Sequence, residues 1–201
     1  NALEIWHLRE DYLEWLFKGQ SSKTYFERLQ ASSRLPLGLA GEKICQQLQA
    51  EIEPLYQALL PLTGKVQTEL PFVLPVGRWE LQGELTPLFE GGLIRTRLAR
   101  IKAADRLQIW LQHLLLSCLK RPEQAFQIGL SQGQAQKLHY SEVGDAPFLL
   151  EHYLNLFEQG QTSPLPVALE SAWVWLQESE KGPEKARVAA ERCWKGDLYQ
   201  R

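Results

Sequence analysis

The spacing of apolar residues changes twice along this chain, from a helical period to an alternating one and back. Residues 3–61 follow the helical period in three segments. Residues 67–99 alternate instead, most clearly where Trp79, Leu81 and Leu85 are interleaved with polar residues. This change predicts a mixed fold in which helices pack on a sheet.

The alternating region predicts a meander of three strands, and the rest of the chain adds a crossing helix and more strands. Strands at 67–75 and 77–87 come first, and the turn Gly91-Gly92 leads into a third strand within 89–99. The later predicted segments are a helix from Ala103, strands at 123–131 and 136–142 with a turn at 132–135, and helices at 146–161, 167–179 and 182–196. The predicted class is α/β (α+β), with a single mixed sheet flanked by helices.

The glycines and the proline of residues 34–41 divide the N-terminal helices from the rest. This break predicts an N-terminal helical segment at 1–40 and a main domain at 41–201. One compact domain over the whole chain is the alternative.

Charge and cysteine content exclude several classes of protein. The net charge of -2 gives no overall basic excess, so binding to nucleic acid would need a local patch or a partner subunit. No apolar run has membrane-spanning length, and no signal-peptide pattern opens the chain. Asn1-Ala2 in place of a start methionine, and the lack of any methionine, predict an expressed fragment. Cys45, Cys118 and Cys193 form no Cys-x-x-Cys pair, which favours a reducing cytoplasm.

Motifs for several catalytic chemistries are missing from the sequence. No P-loop and no Gly-x-Ser-x-Gly elbow occur, which argues against ATP binding of that kind and against a serine hydrolase. The four histidines show no metal-ligand spacing. We therefore expect no cofactor and no metal in this chain.

Two tryptophans of the penultimate helix are too close in sequence to share one core. Trp173 and Trp175 are two residues apart, so they leave a helix on different faces. We expect one of them to pack under a loop or against a partner.

Several short motifs occur in the order found in one protein family. The chain resembles the C-terminal part of the gamma subunit of exodeoxyribonuclease V, the RecC component of the RecBCD helicase–nuclease. The matching stretches are "ASSRLPLGLAGE", "WELQGELTPLFEGGLIRTR", "LQIWLQHLLLSC", "SPLPVALESAWVWL", "EKARVAAE" and "DLYQR". They touch most of the chain after about residue 20.

The resemblance implies the PD-(D/E)xK restriction-endonuclease-like fold with a degenerate active site. In active relatives one strand supplies an Asp and the next supplies a carboxylate, any residue and Lys. Here Thr86 stands for the Asp, Arg95 for the second carboxylate and Arg97 for the Lys, while Gln108 matches a site-orienting Gln. Mg²⁺ needs carboxylate oxygens, and a guanidinium repels it by about 1–4 kcal/mol at contact. The expected site is therefore non-catalytic.

Two alternatives remain open at this point. Glu80, Glu84 or Asp105 would serve as shifted ligands in an active metal-dependent nuclease, or they are solvated or paired with the arginines across the sheet. The second alternative is a stand-alone DNA-binding module that uses a basic run. This run consists of Arg95, Arg97, Arg100 and Lys102, which would contact DNA or a partner subunit, or form a solvated edge.

The resemblance further implies a structural and interaction role in a bacterial, cytoplasmic complex that processes double-strand breaks for recombinational repair. The implied partners are the alpha and beta subunits of exodeoxyribonuclease V, and DNA within the assembled complex, with no membrane. Mg²⁺ and ATP would be used by the partner subunits, so this fragment alone is expected to be no enzyme.

Overall fold

The helices and strands follow one another along the chain in the predicted order. The computed structural model describes residues 2–64, 68–121, 124–131 and 134–196. The described helices are α1 (Ala2–Phe17), α2 (Ser22–Ala31), α3 (Leu39–Thr63), α4 (Ala103–Cys118), α5 (Ala146–Thr162), α6 (Leu169–Glu178) and α7 (Pro183–Trp194), with a 3₁₀ turn at Ser179–Lys181. The strands are β1 (Thr68–Val76), β2 (Trp79–Phe89), β3 (Gly92–Arg97), β4 (Ala125–Ser131) and β5 (Gln134–Tyr140).

These elements confirm the mixed α/β class. Each predicted helix and strand is present among the described residues. Ser21 caps α2, since its hydroxyl accepts a hydrogen bond from the Thr24 backbone N–H at 3.3 Å. The predicted turn at 132–135 lies partly outside the described residues, because 132 and 133 are not among them.

The five strands follow one another in the sheet as β1-β2-β3-β4-β5. β2 pairs with β3 antiparallel, β3 with β4 parallel, and β4 with β5 antiparallel. The parallel pair needs a crossover connection, and the chain between its strands contains α4. The sheet is therefore mixed, as the sequence predicts.

The described chain divides into two compact units. The first contains residues 1–70, 84–101 and 123–141, and the second contains 71–83, 102–122 and 142–201. The boundary that the sequence predicts at residue 40 falls inside the first unit. The division into separate domains at residues 1–40 and 41–201 stays a prediction.

The core of the first unit lies between its helices and one face of the sheet. α3 contacts β3, β4 and β5, and α1 packs on α3. Apolar residues recur along α3 at helical spacing and are fully buried. These residues are Leu48, Ile52, Leu55 and Leu59. An aromatic cluster adds Tyr12 and Tyr25, whose ring centroids are 4.9 Å apart.

The core of the second unit forms around α4. α5 and α6 both contact α4, and α6 packs along α7. The guanidinium carbon of Arg106 lies 4.3 Å from the ring centroid of Trp173, a cation–π contact, whereas Trp175 is 44% exposed. The two tryptophans thus have different surroundings, as their spacing predicts. Among the described residues, no helix has both the length and the apolar character needed to cross a bilayer.

Candidate functional site

Strand β3 presents two arginines on the face of the sheet opposite the helical core. Ile94 and Leu98 are buried in the core of the first unit. Side chains alternate along a strand, so Arg95 and Arg97 leave the other face, where both are half-buried. The strand therefore carries two cationic side chains on one face, two residues apart.

A buried glutamine of β4 lies beside the first of these arginines. Gln127 is the register partner of Arg95 and is only 2% exposed. Its Oε1 atom accepts a hydrogen bond of 3.0 Å from the Tyr140 hydroxyl of β5. Sequence reasoning missed both residues, although a single glutamine inside the apolar strand "AFQIGL" was a signal of a buried polar group.

A glycine of β4 makes room for the chain that follows β3. Gly129 pairs with Arg97, and a Cβ atom at Gly129 would lie 2.4 Å from Ile101 Cγ1 and 3.0 Å from the Ala99 carbonyl oxygen. The Leu130 backbone N–H donates to that same Ala99 oxygen at 3.0 Å. Residues 99–101 therefore lie tightly against β4, and Arg100 is exposed from this connection.

Two guanidinium groups, those of Arg95 and Arg97, lie on β3. Burial lowers the pKa of Arg95 from its usual value, because the charged form loses hydration. Arginine titrates so far above neutrality that it keeps its charge nonetheless. Among the residues that the structure describes, no three His, Cys, Asp or Glu side chains form a group able to hold a metal ion.

The carboxylate candidates of β2 and the threonine at the Asp position have different exposures. Thr86 is half-buried, whereas Glu80 and Glu84 are exposed. Thr86 and Glu84 belong to the first unit, together with Arg95 and Arg97. Glu80 belongs to the second unit.

The remaining predicted site residues lie on α4 or at its N-terminus, in the second unit. Gln108 and Lys102 are exposed. A carboxylate oxygen of Asp105 accepts from the Lys102 backbone N–H at 2.7 Å, and one of Glu170 accepts from the Ala103 N–H at 2.7 Å. Asp105 thus caps α4. The sequence suggested it only as a candidate metal ligand and did not predict this role. The structure brings Arg95, Arg97 and Arg100 together in the first unit and leaves Lys102 in the second.

The chain is similar to a family model and to several curated proteins. The model of the RecC C-terminal domain matches residues 1–180. The RecBCD enzyme subunit RecC of Escherichia coli (strain K12) is 21% identical over 211 residues, which cover 100% of this chain and 19% of that protein. The subunit of the same name from Buchnera aphidicola subsp. Schizaphis graminum is 26% identical over 104 residues, covering 52% of this chain and 10% of the relative.

A further RecBCD enzyme subunit RecC, from Buchnera aphidicola subsp. Baizongia pistaciae, is 23% identical over 167 residues, which cover 82% of this chain and 15% of the relative. The chain spans about a fifth or less of the length of these curated relatives. The family model covers most of the chain. The chain belongs to the RecC C-terminal domain family.

Proposed function

We propose that the chain is a non-catalytic, nuclease-like structural and interaction domain of the RecC subunit. It acts within the RecBCD helicase–nuclease, which processes double-strand breaks for recombinational repair. The observation that carries the proposal is the pair Arg95 and Arg97 on β3, where a nuclease of this fold needs a carboxylate and a lysine.

The order of elements supports the nuclease-like part of the proposal. A helix, a three-strand meander, a crossing helix and a strand parallel to the last meander strand follow in sequence. This is the order that the PD-(D/E)xK resemblance implies. A fold alone carries no activity, so the chemistry of the site decides.

The chemistry of the site favours a scaffold over an enzyme. The described register pairs Leu88 with Leu93. Its continuation toward the start of β2 predicts Thr86 opposite Arg95 and Glu84 opposite Arg97. A carboxylate in that place is matched by a cation across the sheet and has little capacity left for Mg²⁺.

The family supports the proposed partners. The relatives are named as subunits of the RecBCD enzyme. The domain then contacts the alpha and beta subunits in the bacterial cytoplasm, and DNA is reached through the assembled complex. ATP hydrolysis and Mg²⁺-dependent cutting belong to the partner subunits.

The basic run divides into two classes of residue. Arg95 and Arg97 are half-buried and act mainly within the fold, whereas Arg100 and Lys102 are exposed and available to DNA phosphates or to an acidic subunit. We therefore expect substitution of Arg100 or Lys102 to disturb the fold less than substitution of Arg95 or Arg97.

A nuclease assay tests the non-catalytic part. The purified chain is incubated with linear duplex and single-stranded DNA in Mg²⁺ or Mn²⁺, beside the variant Glu84→Ala. We expect no cleavage above the buffer control for either protein. Cleavage by the wild type that disappears in Glu84→Ala would establish the active-nuclease alternative instead.

A restored-site variant tests the nuclease-like geometry. The triple variant Thr86→Asp, Arg95→Asp, Arg97→Lys returns the carboxylates and the lysine, and its control carries Asn in place of both Asp residues. If circular dichroism shows that both are folded, we expect Mn²⁺ binding by the first only, measured by loss of the free Mn²⁺ electron paramagnetic resonance signal. Equal Mn²⁺ binding by the two variants, or none by either folded protein, contradicts the proposed geometry.

A further inference from the structure

The connection between α2 and α3, together with the first residue of α3, exposes two leucines almost completely. We name residues 32–39 the leucine loop. Leu37 is 91% exposed and Leu39 is 83% exposed, more than any other large apolar side chain among the described residues. Leu35, between α2 and these two residues, is only 5% exposed and belongs to the core of the first unit. The loop is therefore anchored at its centre and presents its far half to solvent.

Backbone contacts give the leucine loop one defined conformation. Ser33 and Gly38 have left-handed φ angles of 55° and 68°. The Arg34 N–H donates to the Leu29 carbonyl oxygen at 3.1 Å, which continues the end of α2. Such a conformation lowers the entropy that the loop loses on binding.

A close approach to α3 holds the second half of the loop. A Cβ atom at Gly41 would lie 2.1 Å from the Pro36 carbonyl oxygen, so only glycine allows this contact. The Glu42 N–H donates to the Gly38 carbonyl oxygen at 3.2 Å, at the start of α3. The two leucines thus project from a fixed backbone, as apolar anchors of an interface do.

Resting on the proposed function as a domain of a RecC subunit, we propose that the leucine loop inserts Leu37 and Leu39 into an apolar recess of another part of the RecC polypeptide. The length of chain outside this domain supports this occupant. The aligned region is 19% of the Escherichia coli subunit, so about four-fifths of such a polypeptide is covalently tied to the domain. A tethered partner reaches a high effective concentration, which lets a small apolar contact of two leucines hold the domain in place.

The test compares the 201-residue chain with a full-length RecC protein that carries it. Both receive the double substitution Leu37→Ser and Leu39→Ser. The control substitution is Leu60→Ser, which changes an exposed leucine of α3 outside the loop. Unfolding midpoints and rates of limited proteolysis are measured for each protein.

We expect the double substitution to leave the unfolding midpoint of the chain unchanged within about 1 °C, since solvent already surrounds both side chains. In the full-length protein we expect the unfolding midpoint of this domain to fall by about 3 °C or more. Proteolysis at the junction between this domain and the rest of the polypeptide should become about tenfold faster. The conservative pair Leu37→Met and Leu39→Met should restore both values.

Other results overturn the proposal. Unchanged behaviour of the full-length double variant shows that no recess covers the loop, and unfolding of the chain variant shows that the leucines pack within the chain. Self-association lost in the variant, measured by sedimentation, identifies a second copy as the occupant. Loss of assembly with the alpha and beta subunits at unchanged full-length stability identifies another subunit. Co-flotation with vesicles of phosphatidylcholine and phosphatidylglycerol identifies a lipid surface.

Discussion

The Tyr140 hydroxyl of β5 donates a hydrogen bond of 3.0 Å to Oε1 of Gln127 in β4, and this buried amide lies beside Arg95 in the sheet. The contact joins the two polar side chains that the sequence pattern left unassigned. It also holds the Gln127 amide in place beside Arg95. The free energy that this hydrogen bond contributes to folding can be measured by substitution.

Removal of either side of this hydrogen bond should destabilise the protein. We expect Tyr140→Phe to lower the free energy of unfolding by about 1–3 kcal/mol, because a buried amide oxygen loses its donor. Gln127→Leu should cost about the same or less, and the double variant should cost less than the sum, with a coupling of about 1 kcal/mol. Urea denaturation measures all three values. The control is Tyr153→Phe, because the Tyr153 hydroxyl has no hydrogen bond within the described part of the chain. Additive effects of Tyr140→Phe and Gln127→Leu would contradict the hydrogen bond between them.

A methyl group at Gly129 should disturb the connection that follows β3. The added Cβ atom would lie 2.4 Å from Ile101 Cγ1 and 3.0 Å from the Ala99 carbonyl oxygen, so one of these groups must move. We expect Gly129→Ala to lower the free energy of unfolding by about 1–3 kcal/mol, measured by thermal or urea denaturation. Gly144→Ala, where a Cβ atom meets nothing within 4 Å, should change it by less than about 0.5 kcal/mol. Equal effects at the two glycines would show that the close approach is not rigid.

The tryptophans of α6 should differ in their contribution to stability. Trp173→Leu removes the cation–π contact with Arg106, and we expect a loss of about 1–2 kcal/mol in the free energy of unfolding. Trp175→Leu removes an indole that is 44% exposed, and we expect a smaller loss, of less than about 1 kcal/mol. Denaturation curves of the two variants provide the comparison. A larger loss for Trp175 would reverse the assignment.

Alkaline pH should weaken the first unit through a buried tyrosine. Burial raises the pKa of Tyr25 from about 10 to about 12, and the Tyr25 side chain is only 4% exposed. Because the folded value is the higher one, the folded state holds its proton after the unfolded chain releases it. The contribution is complete below pH 10 and disappears as the pH rises to about 12, a loss of about 3 kcal/mol.

Tyr25→Phe isolates this effect from other alkaline changes. At pH 8 the variant should lose about 1 kcal/mol, because the hydroxyl no longer donates to the Leu8 carbonyl oxygen. Between pH 10 and 12 its free energy of unfolding should fall less steeply than that of the wild type. Urea denaturation at several pH values gives both slopes. Parallel slopes would show that Tyr25 ionises equally in the two states.

The sequence by itself determined the type and order of the helices and strands. Apolar period is a local property, so alternation at residues 79–86 and the turn Gly91-Gly92 sufficed to predict β2 and β3. The family resemblance was also readable in the sequence, and the family model, which matches residues 1–180, confirms it. The sequence also shows directly that arginines occupy positions 95 and 97, where the family resemblance predicts a carboxylate and a lysine.

Only the tertiary structure decided which side chains meet. The pairing of Arg95 with Gln127 joins strands that are separated by α4, and no local period carries that register. The use of Asp105 as a helix cap depends on the backbone at Lys102, and the exposure of Leu37 depends on how Pro36 lies against Gly41. Such contacts arise between residues distant in sequence or from particular backbone angles. Their energies depend on the whole packed arrangement and not on the period of any segment.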